Sequence, residues 1–213
     1  MSGLLVVLEG VGGTGKSTLV ESVATDLREA GYDVASFGEF SETPYGDALR
    51  ETLDVHSRAY DQFPMTVTFG AVADHFAQTE LELRPALADN EVVLTERYTP
   101  TLRVYNEATV RDATTASLAV ELFDVVAACT PLEPDLTVLL TLPRDRMETR
   151  LADRRGSVSD DLLTVATDRQ ATYLDTLGDR PTTLVVETTE PESVTRDRIR
   201  REIEDRLSGG DPA

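Results

Sequence analysis

The chain has 213 residues, 40% of them apolar, enough for one core of ordinary size, and no apolar run is long enough to span a bilayer. With 39 acidic against 20 basic residues the formal net charge is −19, which repels nucleic acid and anionic membrane and argues against a duplex-binding role. The single cysteine, Cys129, cannot close an internal disulfide; it fits a cytoplasmic protein and reads as a small buried residue.

LLVVLE (4–9) lacks a basic flank and ends in Glu9, so it reads as a buried strand and not a signal peptide. GVGGTGKST (10–18) follows, then a helix from about Ser17 to Ala30, stopped by Gly31. DVASF (33–37) is a second strand, and Pro44 and Gly46 punctuate the loop after it. Helical patterns cover about 45–55 and 65–89, EVVLTE (91–96) is a third strand, and one long helix is expected over about 101–128, before Pro131. DLTVLLTL (135–142) is a strand and RDRMETRLADRR (144–155) a helix. GSVSDD (156–161) breaks the pattern, and a helix resumes over 162–178. TTLVVE (182–187) is a fifth strand; the last helix, 192–207, repeats Ile199, Ile203 and Leu207 on one face. Five apolar strands alternating with helices predict one α/β domain over about 1–207, its parallel sheet covered on both faces, with a flexible tail at 208–213.

Gly10, Gly15, Lys16 and Ser17 meet the P-loop pattern in its required strand–loop–helix context. Glycines, here with Gly12 and Gly13, let consecutive N–H groups turn inward onto phosphate oxygens, and the helix N-terminus adds a favourable dipole. Thr14 and Thr18 complete the expected loop, Lys16 reaches the β/γ-phosphates, and the Ser17 hydroxyl can sit on Mg²⁺. Lys16 is the only lysine; every other base is arginine. The alternative is a plain Gly-rich turn opening a helix. LTERYTP (94–100) ends the third strand, on the sheet edge that faces the ligand crevice. Glu96 there can hold Mg²⁺ through water, and Arg97 can fork onto a phosphate; a surface Glu–Arg pair is the alternative.

These motifs resemble the thymidylate kinase family along nearly the whole chain and, more distantly, the deoxyribonucleoside kinases. EG-x-x-G-x-GKST is typical of both. GEFSETPYGDALRETL (38–53) resembles the family's Arg-Glu-Pro stretch through Glu39, Thr43, Pro44, Gly46 and Arg50. ADHFAQTELELRPAL (73–87) resembles its Asp-Arg helix, with Asp74 and Pro85 in register. ERY (96–98) stands for Asp-Arg-Tyr, Tyr105-Asn106 for Tyr-Gln, and the stretches 134–155 and 168–177 resemble those around a mobile lid, here about 150–161. The resemblance implies a P-loop three-layer fold with a five-stranded parallel sheet flanked by helices, and phosphoryl transfer from ATP to a nucleoside monophosphate with Mg²⁺, most readily dTMP to dTDP, as a homodimer. It implies that Lys16 and Ser17 hold ATP and metal and that Arg97, helped by Arg50, grips the acceptor phosphate. Tyr105 and Asn106 would line the acceptor's sugar and base, and Arg150, Arg154 and Arg155 would close over the transferring group.

Departures gather on the acceptor side. Val11-Gly12-Gly13 carries no charge, Gly38 replaces the arginine of Arg-Glu-Pro, and Ala71 stands where a phenylalanine would stack on thymine, with Phe69 and Phe76 nearby. His75 replaces the arginine of Asp-Arg; it can donate to a base carbonyl or pack as a structural histidine, and His56 reads as structural. The uncharged loop and Glu96-Arg97 lean toward deoxyribonucleoside kinases, in which Glu39 would act as base on a sugar hydroxyl. A third reading is a P-loop protein that binds nucleotide without turnover.

The acidity further suggests a salt-adapted protein, since self-repulsion fades once the Debye length shrinks to ~3 Å at ~1 M salt. Thermal unfolding followed by circular dichroism should shift upward as KCl is raised toward that concentration; a downward shift refutes the expectation.

Overall fold

The computed structural model describes residues 3–55, 62–113, 116–155 and 157–209. All five expected strands are present, within one residue of the expected bounds: β1 Leu4–Glu9, β2 Val34–Phe37, β3 Val92–Glu96, β4 Leu136–Thr141 and β5 Thr183–Glu187. They form one parallel sheet in the order β2-β3-β1-β4-β5. β1 is central, with Leu4 beside Val92 on one flank and Val6 beside Leu136 on the other. Parallel strands need crossover connections, and this order carries every strand's carboxyl end to the same sheet edge.

The alternation of side chains across the sheet divides the core. Val6, Leu8, Val92, Leu94, Val138 and Leu140 face helices α1 (Lys16–Glu29) and α9 (Glu192–Leu207), whose Leu19, Val23, Leu27, Ile199 and Ile203 cover them. On the other face Leu5, Val7 and Val93 meet Leu83 and Leu87. Those two lie in a helical run of α3 (Pro64–Gln78), a π turn (Thr79–Leu83) and α4 (Arg84–Asp89). Pro85 brings no N–H to the ladder, a local reason for the chain to rewind there. Helix α2 (Pro44–Val55) packs on α3 through Leu49 and Val67.

The single long helix expected over 101–128 is two helices, α5 (Thr99–Ala113) and α6 (Ala116–Cys129). Arg103 and Asp124, 21 positions apart, are 3.0 Å from each other; along one continuous helix they would stand about 30 Å apart. Leu102, Val110, Ala119, Phe123 and Val126 close a shared apolar seam between the two. That seam is the reason for the reversal: the apolar face buries itself against its own continuation. The expectation for Cys129 is also corrected. It is exposed, because α6 turns Ala119, Phe123 and Val126 inward and leaves position 129 outside.

Helix α7 (Arg144–Arg155) ends at the expected break, and α8 (Asp160–Leu177) begins where the Ser159 hydroxyl accepts the Leu162 N–H at 3.2 Å. The first half of the expected lid is therefore a continuation of α7. His56 and residues 210–213 of the tail lie outside the described residues. Among the described residues no helix is long and apolar enough to cross a membrane.

Ile199 is fully buried between α1 and the sheet. Ile199→Ala should cost about 2–5 kcal/mol of stability, read as a lower urea midpoint with an unchanged slope.

Candidate active site

β1 runs out at Glu9, and the chain turns at Gly10 with φ +136°. A Cβ there would stand 2.4 Å from the Leu140 carbonyl oxygen, so only glycine fits. Gly15, at φ +93°, opens α1, whose N-terminus no side chain caps; its N–H groups are left to an anion. The Thr14 hydroxyl donates to the Val11 carbonyl at 2.9 Å and stitches the loop. The buried Lys16 ammonium donates to the carbonyls of Gly10 and Val11, both at 3.0 Å. Burial, with Arg97 adding repulsion, pulls Lys16 down to about 7, against Glu39, Glu96 and Glu9.

Arg97 is the second centre. Its N–H still extends the sheet, donating to the Leu8 carbonyl at 2.9 Å, but its φ is +63°. That left-handed conformation costs an L-residue about 1–2 kcal/mol. Glu9 holds the turn: its Oε1 accepts the Tyr98 N–H at 2.8 Å and its Oε2 accepts the Thr101 hydroxyl at 2.6 Å. Burial pushes the Glu9 carboxyl up, and Thr101, Arg97, the Tyr98 N–H and Lys16 oppose that push. The buried Arg97 guanidinium has Nε 2.9 Å from Glu39 Oε1 and lies 4.8 Å from the Tyr105 ring centre. Its Nη1 donates to the Gly10 carbonyl at 3.3 Å and to Thr101 Oγ1 at 3.4 Å.

Two cavities meet there. One, of about 390 Å³, takes in Gly12, Gly13, Gly15, Lys16, Ser17, Thr18, Glu96, Arg150 and Asp153. The other, of about 60 Å³, is walled by Phe40, Ala71, Asp74, His75, Gln78, Tyr105 and Asn106. Glu39 and Arg97 line both. The wall beyond β2 is clamped by α3: the Gln78 amide donates to the Gly38 carbonyl at 3.0 Å, and Asp74 Oδ1 accepts the Ser41 hydroxyl. Arg150 reaches from α7 onto the loop, donating to the Gly13 carbonyl at 3.1 Å and the Thr188 carbonyl at 2.6 Å.

Most expected site residues are thus brought together, and some are not. Arg50 lies outside both cavities, paired with Asp47 at 2.8 Å and 5.7 Å from the Phe40 ring centre, because α2 sets it one turn from that acid. The side chains of Arg154 and Arg155 lie outside the described residues. The Asn106 amide donates to the Leu102 carbonyl at 3.0 Å, and its Oδ1 accepts the Thr68 hydroxyl. Phe40, Asp153, Thr101 and Arg169 were not anticipated. The guanidinium of Arg169, in α8, lies 4.2 Å from the Tyr105 ring centre.

The comparisons with known proteins agree with this geometry. The family model described as thymidylate kinase matches residues 8–199. The chain belongs to the thymidylate kinase family. It is 38% identical to thymidylate kinase from Pseudomonas entomophila (strain L48) over 148 residues, covering 67% of this chain and 66% of that one. It is 32% identical to thymidylate kinase from Methylobacillus flagellatus over 157 residues, covering 73% and 72%. The chain's match thus spans about two thirds of the length of its Pseudomonas relative. Among solved structures, Candida albicans thymidylate kinase superposes with a TM-score of 0.74 over 96% of this chain and 92% of that one, at 18% identity, a likeness of fold.

Within the family frame, neither Phe69 nor Phe76 supplies the aromatic missing at Ala71. Phe69 is exposed and Phe76 packs among the α5 and α6 side chains, so the phenylalanine lining the small cavity is Phe40. His75 is buried, with Nε2 3.0 Å from the Thr130 hydroxyl and 3.4 Å from that of Thr99. Burial pulls it from 6.5 down to about 4, so it is neutral at pH 7. Between those values the unfolded chain binds the proton and the folded chain does not, so stability falls as pH drops. From pH 7 to pH 5 the wild type should lose about 2 kcal/mol more than His75→Asn in urea unfolding. Parallel losses would place the titrating group elsewhere.

Proposed function

We propose that this chain transfers the γ-phosphoryl group of ATP to dTMP, with Mg²⁺; its relatives bear the name thymidylate kinase. One observation carries the reading: a P-loop cavity and a pocket on the opposite side meet at a buried guanidinium, Arg97, which lines both. A cation at that junction suits an acceptor that already carries a phosphate. Such an acceptor needs positive charge placed around the reacting oxygens and little covalent chemistry from the protein.

The loop N–H groups of 12–18 and Lys16 hold the triphosphate in this reading. The adenosine end runs toward a cavity of about 220 Å³ lined by Arg150, Thr188 and Glu190. No group of three or more His, Cys, Asp or Glu forms a metal cage among the described residues. That suits Mg²⁺, which ordinarily takes one or two protein oxygens, water and phosphate; Ser17 and Glu96 would hold it in the larger cavity. The ion when bound would supply positive charge that offsets the charge of the phosphates. Arg97 grips the acceptor phosphate, Glu39 keeps that guanidinium in place, and Tyr105 with Phe40 forms an apolar wall for sugar and base. Ligand pockets usually exceed about 300 Å³, so the 60 Å³ acceptor cavity opens by movement of its walls. Arg150 joins α7 to the loop at Gly13, beside the phosphates. His75, already engaged by two threonine hydroxyls, shapes the pocket floor. Homodimer formation is supported by the apolar side chains left exposed on α3 and α6, namely Phe69, Leu118 and Val125.

A coupled ADP-release assay over dTMP, dUMP, dCMP, thymidine and deoxycytidine, at high and low salt, tests this. Turnover of dTMP is expected. Turnover of nucleosides alone makes Glu39 a general base and the chain a deoxyribonucleoside kinase; no turnover leaves a nucleotide-binding protein. Lys16→Ala should abolish turnover with every acceptor. Arg97→Ala should lower kcat/KM for dTMP by about 10²–10³-fold, the size of a lost charge-stabilising donor.

A further inference from the structure

Tyr173 has a hydroxyl that its surroundings do not explain. The residue is fully buried in α8, in an apolar cluster with Val104, Leu139, Leu163 and Leu177, where phenylalanine would fill the same space. A buried hydroxyl costs stability unless it finds a partner, and this one lies 2.6 Å from Thr101 Oγ1.

The Thr101 hydroxyl is a hub whose bonding can be assigned completely. It has one hydrogen and two lone pairs. With Glu9 ionised the hydrogen goes to its Oε2 at 2.6 Å, which leaves Tyr173 as the donor in its own contact with Thr101. The remaining lone pair accepts Arg97 Nη1 at 3.4 Å. Glu9 spends its other oxygen on the Tyr98 N–H, the residue directly after the left-handed turn at Arg97. Tyr173 therefore stands at the far end of a hydrogen-bonded chain that meets the Arg97 guanidinium and the N–H of the residue after it.

The same helix touches Arg97 by a second route. Arg169, one turn before Tyr173, lies 4.2 Å from the Tyr105 ring centre, and the Arg97 guanidinium lies 4.8 Å from that ring. Helix α8 is the next helix after α7, whose Arg150 holds the P-loop at Gly13. One helical pair thus contacts the donor loop through Arg150 and the acceptor-side cation through Tyr173 and Arg169.

We infer that Tyr173 is a positioning residue, setting through Thr101 and Glu9 where the Arg97 guanidinium stands, and so linking α8 to the acceptor phosphate. That the phosphate belongs to the acceptor rests on the kinase reading above. Without the Tyr173 hydroxyl, Thr101 loses the donor that orients it, and Arg97 loses a fixed partner.

The test compares the wild type, Tyr173→Phe, Thr101→Val and the double variant, using whichever acceptor the wild type turns over with ATP. Wild-type turnover alone decides the functional reading; the ratios between variants and wild type decide the relay. Each single change should lower acceptor kcat/KM about fivefold to tenfold, the size of one hydrogen bond, while KM for ATP moves less than about twofold. The double variant should be no worse than the worse single one, because both break one chain. Equal losses toward ATP and acceptor, losses that multiply, or a lower melting temperature with acceptor kinetics intact would each reduce Tyr173 to a packing residue and overturn the inference.

Discussion

The site depends on holding a charged guanidinium out of water. Burying an unpaired cation costs several kcal/mol, and Arg97 is buried where two cavities meet. The cost is offset by Glu39 at 2.9 Å, by the Gly10 carbonyl and Thr101 hydroxyl on Nη1, and by the Tyr105 ring. Those partners come from the loops after β1 and β2 and from α5, so the cation is stable only when the carboxyl edge of the sheet is assembled. The left-handed turn at Arg97 belongs to the same constraint. Glu9 grips the following N–H and keeps the side chain turned inward at a backbone cost the rest of the site absorbs.

Lys16 and Arg97 answer the same demand from opposite sides. In a chain of net charge −19, the only lysine and an inward-facing arginine are set against one cleft. Burial and then the repulsion of Arg97 lower the lysine, while Glu39, Glu96 and Glu9 moderate it. A polyanion arriving between them would relieve both charges at once, so the cleft is electrostatically prepared for phosphate although the molecule around it is strongly acidic. Arg150, fastened to Gly13 and Thr188, ties this preparation to α7 and through it to α8.

The strands and the P-loop were legible because each of their residues acts on its immediate backbone neighbourhood. Apolar runs that become parallel strands need no partner-specific signal, and Gly10 and Gly15 are demanded by their own φ, at Gly10 with the Leu140 carbonyl as a second bar to a side chain. The helical hairpin of α5 and α6 was hidden because an apolar stripe looks the same whether it faces another element or its own continuation. His75 was ambiguous for a similar reason. Its sequence position suggested a role toward the expected acceptor, while the threonine hydroxyls that occupy its Nε2 lie 24 and 55 residues away.

By itself the sequence determined the fold class, the phosphate loop with its lysine, the Glu96-Arg97 pair at a strand end and membership of the kinase family. These are properties of short contiguous stretches, and local sterics and hydrogen bonding suffice to express them. Only the tertiary structure decided that Arg50 turns to Asp47 and that Phe40 is the phenylalanine lining the small cavity. It also decided that Glu9, Thr101 and Tyr173 form one chain behind Arg97. Those contacts join residues 72 and 92 positions apart, and a separation of that length is closed by the packing of α5 and α8 against the sheet, not by any pattern in the chain between.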